Sequence, residues 1–256
     1  MLRSRIIPCL LVHKKGLIKS TKFKDYKYVG DPINAVKIFN EKQVDELIVI
    51  DIDASKENRG PDFEMIKNLA IECRMPFCYG GGISTAEQAK KIVNLGAEKI
   101  AISSSALKNT ALLKEIGQAI GVQSVVVVID VKKKTSLFGS SYEMYTINGT
   151  IKSERKLEDF LIEINDIGIG ELVINSIDRD GTELGYDIQL IEQVRKVVDV
   201  PITVIGGASS HQNIRELIQK FKIIGAAAGS LFVFKGKYKA VLISYPNKEE
   251  KKNILT

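Results

Sequence analysis

Short apolar runs rich in β-branched residues alternate along the chain with longer segments in which apolar residues recur at helical spacing. Residues 125–129 read Val-Val-Val-Val-Ile, and such a continuous apolar run is typical of a strand covered on both faces. Eight short runs bounded by polar residues or glycine predict eight strands. They are residues 6–12, 46–53, 76–80, 99–103, 124–131, 171–177, 201–205 and 225–229.

The segments between these runs carry the three-to-four-residue spacing of amphipathic helices. A regular alternation of strand and helix predicts a parallel sheet, because each helix carries the chain back to the starting edge. The predicted helices are residues 32–41, 61–73, 85–95, 110–120, 156–167, 188–198, 210–221 and a last one near 236–244.

The chain also repeats itself at an offset of 125 positions. Gly81-Gly82 recurs as Gly206-Gly207, and residues 40–105 align without a gap on residues 165–230. A repeat of half the chain dictates architecture, and eight strand–helix units in two similar halves predict a (β/α)8 TIM barrel built from two half-barrels. A doubly wound open sheet is the rival, but it would not normally repeat so evenly. Residues 1–256 show no linker, so we expect one domain.

Two segments interrupt the strand–helix rhythm at equivalent places in the two halves. Residues 14–30 follow the first predicted strand, and residues 132–151 follow the fifth. Both are long, polar and rich in lysine, serine, tyrosine and glycine. Loops of this length are usually functional or disordered. At the C-terminal face of a barrel, where active sites lie, we expect lids.

The composition of the chain argues against several classes of protein. The 256 residues carry a net charge of +6, but the lysines are scattered and no aromatic-basic array of a nucleic-acid binder appears. The first residues lack the apolar region of a signal peptide, and no run is long enough for a membrane span, so we expect a cytoplasmic protein. Three well-separated cysteines and two histidines give no metal-site spacing, and no cofactor motif appears. The cysteines are interpreted as core residues, and the lysine-rich residues 248–253 as a solvated end.

Glycine-rich turns follow strands of both halves. Glycines let the backbone approach an anion closely, and serine hydroxyls and helix-opening amides add donors. A single glycine pair is equally consistent with a tight turn, but two pairs at matched positions favour two phosphate sites. Two such sites imply an elongated substrate with a phosphate at each end. The first site comprises Gly81, Gly82, Ser103 and Ser104, and the second Gly206, Gly207, Gly229 and Ser230, with Asp180 and Gly181 beside it.

Acidic residues end several of the predicted strands. Asp130 ends the fifth, and a carboxylate at a barrel mouth between phosphate sites is a good general acid or base. Asp51 ends the second strand, and the sequence does not decide whether it belongs to the site or serves the structure. Asp53 and Asp178 are interpreted as residues that shape loops.

Charged residues begin strands at the opposite face: Arg5, Glu46, Lys99 and Glu171. Charges at the bottom of a barrel normally serve stability. A salt-bridged plug over the barrel axis is the alternative, and residue type alone does not separate the two.

Taken together, these residues resemble the HisF family, the cyclase subunit of imidazole glycerol phosphate synthase. The likeness covers nearly the whole chain, and several of its motifs are specific to that family. The matching stretches are Arg5-Ile6-Ile7-Pro8-Cys9-Leu10, Gly30-Asp31-Pro32, Asp45-Glu46-Leu47, Gly80-Gly81-Gly82-Ile83, Leu95-Gly96-Ala97-Glu98-Lys99, Ser176-Ile177 and Asp178-Arg179-Asp180-Gly181-Thr182.

The resemblance implies a glutaminase bound at the N-terminal barrel face and ammonia that passes through the barrel to a bisphosphate substrate. It implies that one aspartate of a catalytic pair is Asp130 and that a lysine of the first lid is Lys19. By the same resemblance, Arg5, Glu46, Lys99 and Glu171 form the ammonia gate, and Gly82, Ser104, Gly181, Gly207 and Ser230 contact phosphate.

The chain departs from the family at the other catalytic aspartate. The family's first strand ends Pro-Cys-Leu-Asp-Val, whereas this chain reads Pro8-Cys9-Leu10-Leu11-Val12, and the family's asparagine after strand four is Ser103. Leucine cannot move a proton, and loss of a positioned acid or base typically costs about 10²–10⁴ in rate.

We therefore expect a paralogue that keeps ammonia delivery and has lost or altered cyclisation. It resembles the HisF-type companions of sugar amidotransferases, which make acetamidino sugars of surface polysaccharides. A working cyclase of histidine biosynthesis and a non-catalytic scaffold remain the alternatives.

Overall fold

The computed structural model describes residues 3–136 and 139–255. Within them, eight parallel strands close into a barrel, since the first strand pairs with both the second and the eighth. Helices follow the strands, so the predicted (β/α)8 barrel is confirmed. The barrel strands, numbered one to eight, are Arg5–His13, Leu47–Asp51, Phe77–Gly80, Lys99–Ile102, Val125–Ser136, Glu171–Ser176, Ile202–Ile205 and Gly225–Ala228.

The helices of the described residues surround this barrel, and seven of them lie close to the positions that the periodicity predicts, whereas Ser104–Lys108, Ser230–Val233 and Lys248–Leu255 were not predicted. Several helix starts carry side-chain caps: Asp31 accepts a hydrogen bond from the Asn34 amide, and Thr85 forms a capping box with Gln88. The helices are Pro32–Glu41, Phe63–Glu72, Ala86–Asn94, Ser104–Lys108, Ala111–Ile120, Leu157–Ile167, Ile188–Arg195, His211–Phe221, Ser230–Val233 and Lys248–Leu255, with a 3₁₀ turn at Val122–Ser124.

The sequence repeat is also a repeat of detailed contacts. Asp62 caps the helix after barrel strand two, and Asp187, 125 residues later, caps the helix after strand six with nearly the same backbone angles. The amide of Ser84 donates to the side chain of Gln88, and the amide of Ser209 donates to the side chain of Asn213. The two halves therefore share the local interactions that form their loops.

The paired glycines close each half in the same way. A Cβ atom on Gly81 would lie 2.6 Å from the Asp51 carbonyl oxygen, and one on Gly206 would lie 2.7 Å from the Ser176 carbonyl oxygen. Both glycines have positive φ, at +127° and +98°. Only glycine fits these positions, because a side chain would meet the neighbouring strand end in a backbone conformation that L-residues rarely adopt.

The two lid segments are ordered hairpins rather than loops. In the first, strands Gly16–Thr21 and Lys24–Gly30 pair antiparallel. In the second, barrel strand five runs on to Ser136 and pairs with Gly139–Thr146, which pairs with Ile151–Lys156. Leu137 and Phe138 of this segment lie outside the described residues. The hairpins form because alternate residues such as Leu17 and Met144 bury apolar side chains.

The C-terminal predictions hold in part. Residues 236–244 do not form a helix: strands Phe234–Lys235 and Ala240–Val241 pair across a turn in which Gly236 and Lys239 have positive φ. Residues 248–253 lie in the helix Lys248–Leu255, which the sequence did not predict, and all of them except Lys251 are exposed, in keeping with the expected solvated end. That helix buries Ile254 and joins Lys251 Nζ to Asp45 at 2.6 Å. The many lysines of this segment gave no sign in the sequence that Ile254 is buried.

Two apolar layers hold the barrel together. The larger lies between the strands and the helices, and the smaller fills the barrel interior with several short side chains. Cys9 and Cys78 belong to this inner layer as free thiols, as the sequence predicts, whereas Cys73 lies half-buried outside the barrel. None of the helices in the described residues is long and apolar enough to cross a bilayer. The inner layer consists of Ile7, Cys9, Ile48, Cys78, Ala101, Val126, Val173 and Ala227.

Candidate active site

A cavity opens at the C-terminal face of the barrel and encloses about 1460 Å³ of empty space, its mouth included. Its deepest walls are Ile48, Cys78, Ala101 and Val173 of the inner layer, so it reaches far down the barrel axis. The structure brings every residue predicted to bind substrate or to act on it to this one cavity. Those lining it are Leu11, Lys19, Asp51, Gly81, Gly82, Ser103, Ser104, Asp130, Asp180, Gly181, Gly206, Gly207, Gly229 and Ser230.

Asp130 lies in barrel strand five and lines this cavity. Its Oδ1 accepts a hydrogen bond of 2.9 Å from Asn175 Nδ2 on the adjacent strand. Burial raises the pKa of Asp130 to about 7; the negative charge of Asp180 acts in the same direction, and the hydrogen bond from Asn175 opposes it. A carboxyl group that titrates near neutral pH is suited to both donate and accept protons under physiological conditions.

We expect the variant Asp130→Asn to gain stability relative to the unaltered chain as the pH rises from about 5 to about 8. A raised native pKa means that the folded state holds a proton which the unfolded chain has already released. The stabilising contribution of Asp130 is therefore lost as the pH rises through about 7. Urea unfolding at both pH values measures the difference. Asp166→Asn, at an exposed helical position, is the control, and an equal pH response of the two variants would contradict the prediction.

Asn175 is a cavity residue that our sequence reasoning missed. It interrupts the otherwise apolar core of barrel strand six, Glu-Leu-Val-Ile-Asn-Ser. Residues of a strand alternate between its two faces, so Asn175 points to the same side as Glu171 and Val173. A polar residue on the interior row of a buried strand was the signal that could have identified it.

Leu11 presents an apolar wall to the cavity. It lies half-buried in barrel strand one, paired with Ile50 of strand two. Ile50, Val128 and Ile205 also line the cavity and pack with Leu11 against the inner layer. Asp130 is thus the carboxylate that enters from strand five, and strand one supplies no counterpart.

The first predicted anion site lies where barrel strands three and four end. Gly81 and Gly82 follow strand three, and Ser103 and Ser104 lead into the short helix Ser104–Lys108. Ser105 is already committed, since its hydroxyl donates to the Ile83 carbonyl at 2.7 Å. Backbone amides and the hydroxyls of Ser103 and Ser104 are therefore the donors available to a ligand here.

Asp51 reaches the cavity wall, but its carboxylate is occupied. Arg59 contacts both oxygens, at 2.8 Å and 3.0 Å, and the amides of Asp53 and Ala54 also donate to it. These bonds fix the loop after strand two, which favours the structural role left open for Asp51. Asp53 shapes the same region as predicted, because it accepts hydrogen bonds from His13 and the Lys14 amide, which outweigh burial and lower its pKa.

The second predicted anion site lies where barrel strands seven and eight end, with Gly206, Gly207, Gly229 and Ser230 on its wall. The loop after strand six packs onto the first hairpin beside it: Asp180 accepts a 2.7 Å hydrogen bond from the Ser20 hydroxyl. Burial raises the pKa of Asp180 above its ordinary value, despite hydrogen bonds from Ser20 and the Phe23 amide. This loop and the first hairpin therefore form one wall of the cavity.

Lys19 extends from the first hairpin into the cavity and is almost fully buried. Its ammonium donates to the Cys9 carbonyl, and a Cβ atom on Gly229 would lie 2.5 Å from Nζ. Glycine at 229 thus leaves room for the lysine beside the second anion site. Burial lowers the pKa of Lys19, although the negative charge of Asp180 opposes the shift.

The second hairpin crosses the cavity mouth and meets the first half of the barrel. Asn148 Nδ2 donates to the Ile52 carbonyl at 2.9 Å, and Gly149 lies against the ring of Phe23. Asp178 accepts a 2.7 Å hydrogen bond from the Lys133 amide, in keeping with its predicted loop-shaping role. The two hairpins therefore cover the mouth together.

At the opposite end, Arg5, Glu46, Lys99 and Glu171 form a ring of alternating charge, called here the charged ring. Lys99 Nζ lies 2.8 Å from both carboxylates, Arg5 Nη2 lies 2.6 Å from Glu171, and Arg5 also pairs with Glu46. Burial opposes ionisation, yet the ion pairs outweigh it, raising the pKa of Arg5 and Lys99 and lowering that of Glu171. The ring closes the floor of the barrel directly below Cys78, which pairs in register with Lys99.

Comparison with known proteins places the chain in a family. A family profile described as histidine biosynthesis protein matches residues 5–239. A protein of Vibrio vulnificus provisionally named imidazole glycerol phosphate synthase subunit hisF3 is 53% identical over 255 residues, covering 100% of this chain and 97% of the relative.

Two further relatives extend the comparison. The subunit provisionally named hisF2 of Pseudomonas aeruginosa is 48% identical, with 96% of this chain and 97% of the relative covered. The imidazole glycerol phosphate synthase subunit HisF of Streptococcus sanguinis is 40% identical over 91% of each chain. The chain belongs to the HisF family of imidazole glycerol phosphate synthase subunits.

Proposed function

We propose that this chain is the barrel subunit of a glutamine amidotransferase complex that has lost or altered cyclisation. It receives ammonia from a glutaminase at the charged ring, conducts it through the barrel and binds a phosphorylated substrate at the other end. The ammonia serves a separate sugar-amidating enzyme, which makes an acetamidino sugar of a surface polysaccharide. The observation that carries the proposal is Leu11, which takes the place of the family's second catalytic aspartate while the charged ring is complete.

The barrel interior supports ammonia passage. Directly above the charged ring, the inner layer contains the short side chains of Cys78, Ala101 and Ala227. The cavity descends as far as Cys78 and Ala101. A small neutral molecule admitted by the ring would therefore have only a short distance to travel through small side chains.

The face around the ring supports a protein partner. Ile71, Val122 and Ile223 are exposed by 69%, 46% and 48% in the segments that precede barrel strands three, five and eight. These exposed apolar side chains at the ends that lead into the barrel strands are available to pack against a partner at this face. A glutaminase seated there would release ammonia directly onto the ring.

The pattern of names among the relatives supports a paralogue. Relatives that are 48–53% identical carry the name imidazole glycerol phosphate synthase subunit only provisionally, whereas the S. sanguinis protein, at 40% identity, carries it without that qualification.

An active cyclase of histidine biosynthesis is the second candidate. Asp130 favours it, because its raised pKa still suits proton transfer and it lies between two anion sites. In that case Asp130 alone would carry out the proton transfers that the family divides between two aspartates.

The test is turnover of the family's bisphosphate substrate. The purified chain with its glutaminase, supplied with that substrate and ammonium chloride, is compared with the HisF of S. sanguinis under the same conditions. We expect the production of imidazole glycerol phosphate to be lower by about 10²–10⁴-fold, while amidation of the sugar in a reconstituted system requires the chain. Turnover equal to that of the S. sanguinis protein would establish the histidine enzyme and contradict the proposal.

A further inference from the structure

Asn175 lines the cavity at a level between the charged ring and the cavity mouth. It lies on the interior row of barrel strand six, four residues beyond Glu171 of the ring and two beyond Val173. Four residues of an extended strand span roughly 13 Å. Ammonia that entered at the ring and moved along this strand would therefore meet the carboxamide of Asn175 after passing Val173.

One end of this carboxamide is satisfied and the other is not. Nδ2 donates to Asp130, whereas Oδ1 has no hydrogen-bond partner among the described residues. The side chain is only 9% exposed. A buried acceptor without a partner costs free energy, so native proteins rarely leave one unless a ligand or water completes it.

The neighbouring strand keeps the region around Oδ1 open. Gly206 has no side chain, and a Cβ atom at that position would lie 3.2 Å from Asn175 Oδ1. The surrounding walls are the apolar side chains of Val128, Val173 and Ile205. These walls offer no donor to the free oxygen, so its partner must come from a ligand or solvent.

The polar atoms around Asn175 Oδ1 determine which kind of ligand can bind there. Asn175 Oδ1 and the second oxygen of Asp130 can both accept a hydrogen bond, and one N–H of the carboxamide donates to Asp130. Two acceptors suit a molecule that presents several N–H bonds. They disfavour a phosphate or carboxylate, whose oxygens need donors.

We propose that Asn175 and Asp130 form a binding station for ammonia inside the cavity, one interior residue above Val173, with Asn175 Oδ1 and Asp130 each accepting an N–H hydrogen bond. Only the route by which ammonia arrives rests on the proposed function. The station holds the nucleophile beside the phosphorylated ligand or before its onward transfer, and it involves no covalent step.

The test uses the chain alone and ammonium chloride as the probe. Nuclear magnetic resonance of the Asn175 side-chain amide and the Asp130 carboxyl carbon follows the titration. We expect both signals to shift and to saturate together. Tetramethylammonium chloride supplies the same charge and ionic strength without an N–H donor, and we expect no such shift with it.

Two substitutions at one position separate a ligand contact from a structural role. In Asn175→Leu the acceptor is lost, and we expect the affinity for ammonium, read from Asp130, to fall by about tenfold. In Asn175→Asp an acceptor remains at similar size and a carboxylate is added beside Asp130, so we expect the affinity for ammonium to be kept or increased. Asn148→Leu, which alters another cavity-lining carboxamide at the mouth, serves as the control and leaves the response unchanged.

Three results would overturn the station: no saturable shift in the unaltered chain, an equal shift with tetramethylammonium, or an equal affinity in Asn175→Leu. None of them depends on a glutaminase, because ammonium is supplied from solution. If the chain binds ammonium at Asn175 but receives none from glutamine, the proposed passage of ammonia through the barrel is contradicted, whereas the binding station is not.

Discussion

Replacing Leu11 by aspartate is expected to raise the rate of imidazole glycerol phosphate formation by about 10²–10⁴-fold. The other residues predicted for a cyclase site line the cavity: Asp130 on barrel strand five, Lys19 on the first hairpin and those of the two predicted anion sites. Leu11 is half-buried and already faces this space, so a shorter aspartate fits without displacing a neighbour. The new carboxylate would supply the second proton-transfer group that the family uses.

The matched control for this gain is Leu11→Asn. Asparagine has the same size and polarity as aspartate but cannot transfer a proton in the same way, so we expect it to remain at the activity of the unaltered chain. Rates with ammonium chloride as the nitrogen source exclude effects on the glutaminase. Equal activity of the two variants, or full activity before any substitution, would show that Leu11 does not limit the reaction.

Replacing Cys78 by phenylalanine is expected to reduce glutamine-dependent amidation by roughly 10²-fold, the scale of advantage that confined delivery gives over free diffusion. Cys78 lies beside Lys99 of the charged ring and at the bottom of the cavity. A phenyl ring there would fill the passage, while Asp130 and the anion sites lie further toward the mouth. Amidation supported by external ammonium chloride should therefore change little.

Extra volume in a packed interior also costs stability, about 1–3 kcal/mol. Cys73→Phe is the control for this effect, because Cys73 is half-buried on the outside of the barrel and away from its axis. Both variants are compared by urea unfolding and by the two amidation rates. A parallel loss of glutamine-dependent and ammonium-dependent rates in Cys78→Phe would indicate a damaged fold rather than a blocked passage.

Much of the fold followed from local pattern and from the repeat. Helix Pro32–Glu41 has the predicted bounds, and the other predicted barrel strands and helices up to Phe221 differ at their ends by a few residues, except strand five, which continues into the second hairpin. Those ends depend on capping and on hydrogen bonds to neighbouring strands, which a single segment does not specify. The matched glycines of the two halves predicted equivalent contacts. Wherever two backbone segments approach this closely, a glycine is required.

The rest depended on long-range contacts. The lid segments form hairpins because Leu17 and Met144 find apolar partners distant in the chain. Asp51 could be assigned to the loop only once Arg59, eight residues away, was seen to occupy both its oxygens. The sequence likewise could not tell whether the four charged residues at strand starts interact. The structure shows that they form ion pairs with one another in the charged ring.

The central claim is that ammonia reaches the cavity through the barrel rather than from solution. Isotope dilution tests it most directly: the chain, its glutaminase and the sugar-amidating enzyme are supplied with glutamine labelled with ¹⁵N in the amide and an excess of unlabelled ammonium chloride. The account predicts that the nitrogen transferred to the sugar carries mainly the ¹⁵N label, and that Cys78→Phe abolishes this preference. Transfer at the isotope ratio of the bulk solution in the unaltered complex would contradict it.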